Sequence, residues 1–497
     1  MKKYLYVFLG SMLIIGIYSC SDNIGGTSYN NDGIGIENFG KSGNYNPENN
    51  QGKLNEFVEN PFIHVKDAPI STFSVDADGG SYAHVRGIIN SGETPYKYAI
   101  RVEEFLNYFP MDYRDNGQNS ISLNGEVSEC PWNKQHKLIR IGIKGRDLEK
   151  EDYPLANFVL LIDVSGSMKS KNKLNFIKQG FAKFVDQMRD KDRLAIVTYA
   201  GKSGVLLPST PGFKKSYIKS QINKLGAGGS TAGAEGINTA YKIVEDNYIQ
   251  DGNNRVILGT DGDFNVGISS QDELIKLIEE KRKSGSYLTT IGVGKYLNEA
   301  MLEQLANKGN GNYEYIDRVE EMEKVFINDY NKFLTVAKDV KVQITFNSEI
   351  VEKYRLIGYV NRLLEKEDFE NDTVDAGEIG AGQTITALYE IIPNNILDQR
   401  ALDAFSIDFR YKEFNEDISK KLHLDVINNT TKFENSSENM IFSAAVASFG
   451  MILFDSEYKG NTSISLIPIW VNNAMSYDPY GYRKDFLKLI EKVKWVK

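Results

Sequence analysis

The chain contains 497 residues, too many for one ordinary hydrophobic core, so two or three domains are expected. Hydrophobic residues make up 41% and charged residues 25%, proportions typical of a globular protein. The formal net charge is −9 and the Lys and Arg residues are spread along the chain, which argues against nucleic acid as a partner.

The first residues have the pattern of an export signal. Two lysines, an apolar stretch of about 14 residues and Ser19 precede Cys20. The apolar stretch is shorter than the roughly 20 residues of a membrane-spanning helix, although a short transmembrane anchor is an alternative. The sequence IYSC, residues 17–20, resembles the bacterial lipobox, whose cysteine receives lipid and becomes the mature N-terminus. We therefore predict a lipoprotein signal peptide at residues 1–19 and lipidation of Cys20.

The segment that follows the signal has a different composition. Residues 20–60 are rich in Gly, Asn, Ser and Asp and have no sustained apolar period, which predicts a flexible tether. Within residues 61–118, YAHVRGIIN and AIRVEEFLNYF predict two short helices and STFSVDAD predicts a strand. Residues 119–152 then form a β-rich segment, with strands predicted in ISLNGEVSECPW and HKLIRIGIKG.

Residues 153–335 alternate between strand and helix patterns. FVLLID is a continuous apolar run, as expected for a strand buried on both faces, and apolar residues at helical spacing follow it. RLAIVTYA, RVILGTDG, YLTTIGVG and NYEYID repeat the strand pattern, with helices between most of them. The alternation predicts an α/β fold with a Rossmann-like open, mostly parallel sheet and helices on both faces. Ligands of such sheets bind at the carboxyl ends of the strands.

The remaining sequence divides into two parts. Residues 336–430 are a second β-rich segment, with strands predicted in VKVQITFN, TITALYEIIP and AFSIDFRYK. Because strand groups lie on both sides of the α/β domain, we predict that this domain is inserted in a discontinuous β-sandwich. Residues 431–497 form a helical C-terminal extension that contains ENMIFSAAVASFGMILF and RKDFLKLIEKVKWVK.

Oxygen-bearing side chains gather at the predicted carboxyl edge of the sheet. Asp163 and Asp261 each end a predicted central strand, and the loop GAGGSTAGAEG presents Ser230 or Thr231. Two acids and several hydroxyls without a histidine cluster suit Mg²⁺ or Mn²⁺ and suit zinc poorly. The four histidines are scattered through the sequence: His64, His84, His136 and His423.

The sequences LIDVSGSM, GGST and LGTDGDFN resemble the three metal-binding loops of the von Willebrand factor type A (VWA) domain. In that family, D-x-S-x-S coordinates a divalent cation at the metal-ion-dependent adhesion site (MIDAS), together with a Thr and an Asp from two other loops. The resemblance implies these metal ligands: Asp163, Ser165, Ser167, Thr231 and Asp261. It also implies Mg²⁺, or else Mn²⁺ or Ca²⁺, with one open position for an Asp or Glu of a partner protein. Thr260, Ser230 and Asp263 are expected to support the ligands.

The flanking regions extend the resemblance from about residue 60 to the end of the chain. They are similar to the conserved N-terminal region and C-terminal extension of a group of bacterial VWA lipoproteins. The resemblance implies a protein of the cell envelope, periplasmic or surface-facing, that binds a protein partner and catalyses no reaction.

Three other interpretations of the acids stay open. Asp163 and Asp261 could serve a Mg²⁺-dependent hydrolase or transferase, although no general base is predicted beside them. The protein could be a structural scaffold in which the metal only locks the loops. Asp163 and Ser165 could also simply cap the following helix, with Asp261 forming a turn with Gly262.

Overall fold

The computed structural model describes residues 59–75, 78–115, 117, 119–200, 204–228, 233–262, 271–295, 297–394, 403–428 and 430–493. The predicted signal peptide, the lipidation of Cys20 and almost all of the predicted tether lie outside these residues. All of the described residues belong to one unit.

The helices and strands follow the chain in three groups. The first group precedes the α/β domain and comprises β1 (Ile63–His64), β2 (Ile70–Ser74), α1 (Gly80–Asn90), α2 (Val102–Asn107), β3 (Ile121–Glu129) and β4 (Lys137–Gly145). The second group is the α/β domain and comprises β5 (Ala156–Asp163), α3 (Leu174–Gln187), β6 (Arg193–Tyr199), β7 (Gly204–Pro211), α4 (Lys215–Asn223), α5 (Gly233–Asp246), β8 (Asn253–Thr260), α6 (Gln271–Lys283), β9 (Ser286–Val293), α7 (Glu299–Lys308), β10 (Tyr313–Ile316) and α8 (Val319–Glu323).

The third group follows the α/β domain. It comprises β11 (Thr335–Phe346), β12 (Val351–Ile357), β13 (Leu363–Leu364), β14 (Gly377–Gly380), β15 (Thr384–Pro393), β16 (Asp403–Glu413), β17 (Ser419–Ile427), α9 (Glu438–Phe454), α10 (Ile467–Asn472) and α11 (Tyr482–Lys492).

The α/β domain contains an open sheet with the strand order β10-β9-β8-β5-β6-β7. All neighbouring strands are parallel except β7, which runs antiparallel to β6 at one edge. Successive residues of β5 face opposite sides of the sheet. Phe158 and Leu160 pack with α3 and α4, whereas Val159 and Leu161 pack with α5, α6 and α7. The predicted open α/β sheet with helices on both faces is therefore confirmed.

Strands from both sides of the α/β domain form a β-sandwich. One sheet has the order β1-β12-β15-β4-β3, and the other has the order β13-β2-β11-β16-β17, with β14 paired to β11. The two sheets share one hydrophobic core, which contains side chains of β4 and β15 from the first sheet and of β11 and β16 from the second. The predicted insertion of the α/β domain into a discontinuous sandwich is confirmed, since the chain leaves the sandwich after β4 and re-enters it at β11.

A helical layer joins the two parts of the molecule. The apolar helix α9 is buried along most of its length and shares a core with α1, α2, α11 and residues of α7 and β10. Helix α1 lies against β10, the outer strand of the α/β sheet, and its Gly80 faces the ring of Tyr313 so closely that an added Cβ would lie 2.4 Å from the ring. Within the described ranges, no helix is long and apolar enough to cross a membrane.

Candidate metal centre

Three neighbouring strands of the α/β sheet end beside one another. Strand β5 lies between β6 and β8, with Asp163 opposite Tyr199 and Ile162 opposite Gly259. The chain runs from β5 to β6 on one side and later returns to β8 on the other side. The loops after β5 and β8 therefore flank the point where the strand order reverses, which is where open α/β sheets bind their ligands.

Asp163 is fully buried at the end of β5. Its Oδ1 accepts a hydrogen bond from the backbone N–H of Ser165 at 2.8 Å, and its Oδ2 accepts one from the Thr260 hydroxyl at 3.0 Å. Burial raises the pKa of Asp163 and outweighs the hydrogen bonds from Ser165 and Thr260, which lower it; the charge of Asp261 raises it further. The carboxylate is thus held in place before any cation binds.

The two serines of the first loop lie directly after Asp163. The backbone makes a short 3₁₀ turn over Gly166–Lys169, which brings the Ser165 and Ser167 hydroxyl oxygens to 2.9 Å from each other. Ser165 is buried, whereas Ser167 is exposed. The loop therefore offers one hydroxyl from inside the protein and one at its surface.

Asp261 follows β8 and is also buried, at 2% exposure. Its Oδ2 accepts a hydrogen bond from Nζ of Lys173 at 2.8 Å. Gly262 then turns the chain with a φ of +79°, a conformation that glycine adopts readily. An added Cβ at Gly262 would lie 2.7 Å from the backbone nitrogen of Asn298, so the loop after β8 contacts the start of α7.

Backbone hydrogen bonds connect the loops around this edge. The N–H of Val164 donates to the carbonyl of Tyr199 at 3.1 Å, and the carbonyl of Val164 accepts from the N–H of Gly228 at 2.7 Å. Tyr199 itself is fully buried beside Asp163; burial first, and then the charge of Asp163, raise the pKa of its phenol well above the ordinary value. Backbone hydrogen bonds of Val164 thus connect the loop after β5 to the end of β6 and to Gly228.

The structure brings together four of the five predicted ligands. Asp163, Ser165, Ser167 and Asp261 lie at one edge of the sheet, whereas Thr231 lies outside the described residues, as do Ser230 and Asp263. Thr260 takes the supporting role that we expected, through its hydrogen bond to Asp163.

Two residues of the site were not predicted. Tyr199 is the last residue of β6 and the last but one of the strand pattern RLAIVTYA, so its position at the carboxyl edge was available from the sequence. Lys173 stands 88 positions from Asp261, and nothing in the sequence distinguishes it from the other lysines of this polar loop as the partner.

The capping interpretation does not account for the first loop. Helix α3 begins at Leu174, and neither Asp163 nor Ser165 caps it: its N-cap residue is Lys173, with no side-chain capping hydrogen bond. The Ser165 and Ser167 hydroxyls instead contact each other, and the Asp163 carboxylate accepts hydrogen bonds from the Ser165 N–H and the Thr260 hydroxyl.

The oxygen donors fit a hard divalent cation. Two carboxylates and two hydroxyls are the ligand types that Mg²⁺ and Ca²⁺ prefer. In the described part of the chain, no group of three or more His, Cys, Asp or Glu side chains is placed to hold a metal ion. The histidines that sequence analysis set aside lie elsewhere: His84 pairs with Glu299, His136 with Glu390, and His423 with Asp408 and Asp425.

Family models match three consecutive parts of the chain. A model described as von Willebrand factor type A domain matches residues 157–329, and one described as von Willebrand factor matches residues 48–140. A third, described as the C-terminal part of the uncharacterized protein YfbK, matches residues 331–496. The fold and the matches together define a VWA-domain protein, and VWA domains generally serve protein–protein interaction.

Comparison of the whole sequence with known proteins identifies a family within the VWA-domain proteins. The uncharacterized protein YfbK of Escherichia coli is 41% identical over 467 residues, which cover 88% of this chain and 80% of that protein. The chain therefore belongs to the YfbK family of VWA-domain proteins, which confirms the resemblance predicted from its motifs and flanks.

Two further proteins are similar to this chain at lower sequence identity. The uncharacterized protein sll0103 of Synechocystis is 26% identical over 212 residues, 42% of this chain and 48% of that protein. A solved structure, von Willebrand factor type A from Catenulispora acidiphila, is 15% identical with a TM-score of 0.42 and covers 77% of this chain and 92% of that chain.

Proposed function

We propose that this protein is exported, is anchored to a bacterial membrane through lipid on Cys20, and binds a partner protein through a divalent cation at the edge formed by β5 and β8. The observation that carries the proposal is the convergence of Asp163, Asp261, Ser165 and Ser167 at the point where the strand order reverses.

The proposed ligand set explains why the partner would present a carboxylate. Ser165 and Ser167 supply neutral oxygens, and Asp163 and Asp261 supply the negative charge, with Thr231 as the further predicted ligand. A divalent cation bound by few charged groups keeps a strong attraction for an additional anion. The protein residues hold and orient the cation, and an Asp or Glu of the partner completes its coordination.

A binding role is better supported than a catalytic one. The sequence GIENFGKS, residues 35–42, has the spacing of a phosphate-binding loop, but the preceding residues SYNNDGI lack the apolar strand that such a loop follows. Tyr199, the phenol beside Asp163, is fully buried and so is closed to direct contact with a substrate.

Metal binding is tested by calorimetric titration of the purified chain with Mg²⁺, Mn²⁺ and Ca²⁺. We expect Ser167→Ala to weaken binding at least about tenfold, because loss of even an indirect metal contact typically costs 10- to 100-fold. Ser170→Ala is the matched control, since Ser170 is an exposed serine three positions further along the same loop. Equal affinities of the two variants would contradict the proposed site.

Partner binding is tested by capture of envelope proteins on the immobilised chain in Mg²⁺ and in a chelator. We expect a captured partner to be released by the chelator and to be missing with Asp163→Ala, provided that circular dichroism shows this variant to be folded. Capture that is equal in the presence of the chelator would instead favour the scaffold.

Membrane attachment is tested by cell fractionation of the parent chain and of Cys20→Ala. We expect the parent in the membrane fraction and the variant in the soluble fraction, because one lipidated residue is the proposed anchor. Membrane association of both would contradict lipid anchoring at Cys20.

A further inference from the structure

A positively charged side chain already lies on one of the proposed metal ligands. Nζ of Lys173 is 2.8 Å from Oδ2 of Asp261, and the side chains of the two residues are only 21% and 2% exposed. We propose that Lys173 is a built-in cation that competes with the divalent metal for Asp261 and so sets the metal affinity of the site. This inference rests on the proposed metal-binding function.

The backbone around Lys173 and the space beside its side chain allow this lysine to reach Asp261. Lys173 immediately precedes α3 and has a non-helical backbone, with φ −117° and ψ −100°. Its side chain passes directly over Gly294, where an added Cβ would lie 2.6 Å from Cε of the lysine. Gly294 also has a φ of +89°, a conformation that favours glycine, so the residue after β9 leaves room for the aliphatic part of Lys173.

Lys173 compensates the negative charge of two carboxylates in the site. Asp163 and Asp261 are both almost completely buried, and both lie at the same edge of the sheet. Two neighbouring buried carboxylates need a compensating positive charge, and Lys173 provides it without a metal. A divalent cation that approaches the same carboxylates is repelled by the ammonium group.

When a metal ion binds, Lys173 can either leave Asp261 or stay beside it. Both responses lower the affinity of the site for the metal. If the ammonium group leaves Asp261, metal binding must break a hydrogen-bonded ion pair. If it stays, it cancels part of the negative charge that attracts the metal. In both cases neutralising Lys173 should tighten metal binding, whereas a purely structural ion pair predicts no gain in affinity.

The test compares Lys173→Met with Lys171→Met in the full chain. Lys171 is an exposed lysine two positions earlier, so the control removes the same charge from the same loop without touching Asp261. By calorimetric titration with Mg²⁺ and with Mn²⁺, we expect the Kd of Lys173→Met to fall by about tenfold or more, given the strength of Coulomb interactions at partly buried sites. The Kd of Lys171→Met should stay within about twofold of the parent value, since an exposed charge is screened by solvent.

A thermal readout accompanies the titration. Without metal, Lys173→Met should melt at a lower temperature than Lys171→Met, because its two carboxylates lose their counter-ion. Saturating Mg²⁺ should raise the melting temperature of Lys173→Met by more than that of the control. If Lys173→Met does not fold, Lys173→Gln serves instead, because its amide can still donate a hydrogen bond to Asp261 without the charge.

The outcomes separate this inference from the proposed function. Unchanged or weaker metal binding by the Lys173 variants, with normal binding by the parent, would overturn the role of the lysine alone. Binding by the variants but not by the parent would support the lysine as a competitor and contradict metal-dependent binding by the natural chain. No binding by any of these proteins would overturn both.

Discussion

His84 on α1 forms a buried ion pair with a helix of the α/β domain. Its Nδ1 lies 2.9 Å from Oε2 of Glu299, the first residue of α7. Burial lowers the pKa of His84, but the charge and the hydrogen bond of Glu299 raise it by more, so the pKa is above its ordinary value of 6.5. Glu299 responds in the opposite sense: burial raises its pKa, and the charge and hydrogen bond of His84, together with the charge of Arg101, lower it by more.

Because of this ion pair, we expect the free energy of unfolding to depend on pH. Because the pKa of His84 is higher in the folded chain, the protonated ring stabilises the fold fully below pH 6.5, and this contribution is lost as the pH rises through the folded-state pKa. We expect His84→Gln to lower the free energy of unfolding by about 1.5–3 kcal/mol at mildly acidic pH, the usual range for a hydrogen bond to a charged group, and by less at alkaline pH.

Denaturant unfolding of both proteins across that pH range measures the effect. The comparison of variant with parent at each pH cancels the contributions of all other titrating groups. A stability gap that stays constant between acidic and alkaline pH would contradict the assigned protonation of His84.

At the scale of elements, helix α1 packs on strand β10 with its backbone close to the side chains of that strand. An added Cβ at Gly80 would lie 2.4 Å from the Tyr313 ring, and one at Gly87 would lie 3.2 Å from Cβ of Asp317. Six residues further along α1, Arg86 donates to Asp317 and Glu321 and closes the same interface with buried charges. The helix covers the edge of the α/β sheet that β10 would otherwise expose.

Gly80→Ala tests this approach. Glycine to alanine in a helix normally stabilises a protein slightly, but here the methyl group would meet the Tyr313 ring, so we expect a loss of about 1–3 kcal/mol in the free energy of unfolding. Gly204→Ala on the edge strand β7 is the control, because an added Cβ there has no atom within 4 Å and should change stability by less than about 0.5 kcal/mol. Urea unfolding of both variants gives the comparison, and a stabilised Gly80→Ala would contradict the close contact.

Strands and helices with a clear hydrophobic pattern could be predicted from the sequence. The buried run that became β5, the strand that became β8 and the apolar helix α9 all follow from hydrophobic period and flanking residues. Parallel strands end at one edge, so the gathering of Asp163 and Asp261 was predictable as well. What the sequence did not reveal are pairings between distant segments, such as Lys173 with Asp261 or β2 with β11, because no local pattern encodes a partner.

At the scale of the whole molecule, the α/β domain is not an independent module. Leu302 and Ala306 on α7 and Tyr313 and Tyr315 on β10 belong to the core that also contains α1 and α9. Removing the flanks would expose this apolar surface together with the edge of β10, a combination that favours aggregation.

We therefore expect a fragment of residues 156–334 to associate or unfold where the full chain does not. Size-exclusion chromatography with light scattering, at equal concentrations of fragment and full chain, measures the difference. A monomeric fragment that melts at the temperature of the full chain would show that the flanks contribute little to the domain.

The discontinuous sandwich has a consequence for synthesis of the protein. Thr72 on β2 accepts a hydrogen bond from Gln343 on β11, 271 positions later in the chain, and Ser71 is bonded to Tyr389, 318 positions later. The amino-terminal strands thus emerge from the ribosome long before their partners exist, while the strand pairings of the α/β domain between them span at most 97 positions, as between Ala156 and Asn253. The nascent chain therefore carries β2 without its partner strands until β11 and β15 have been made, a stage at which unpaired strands favour aggregation.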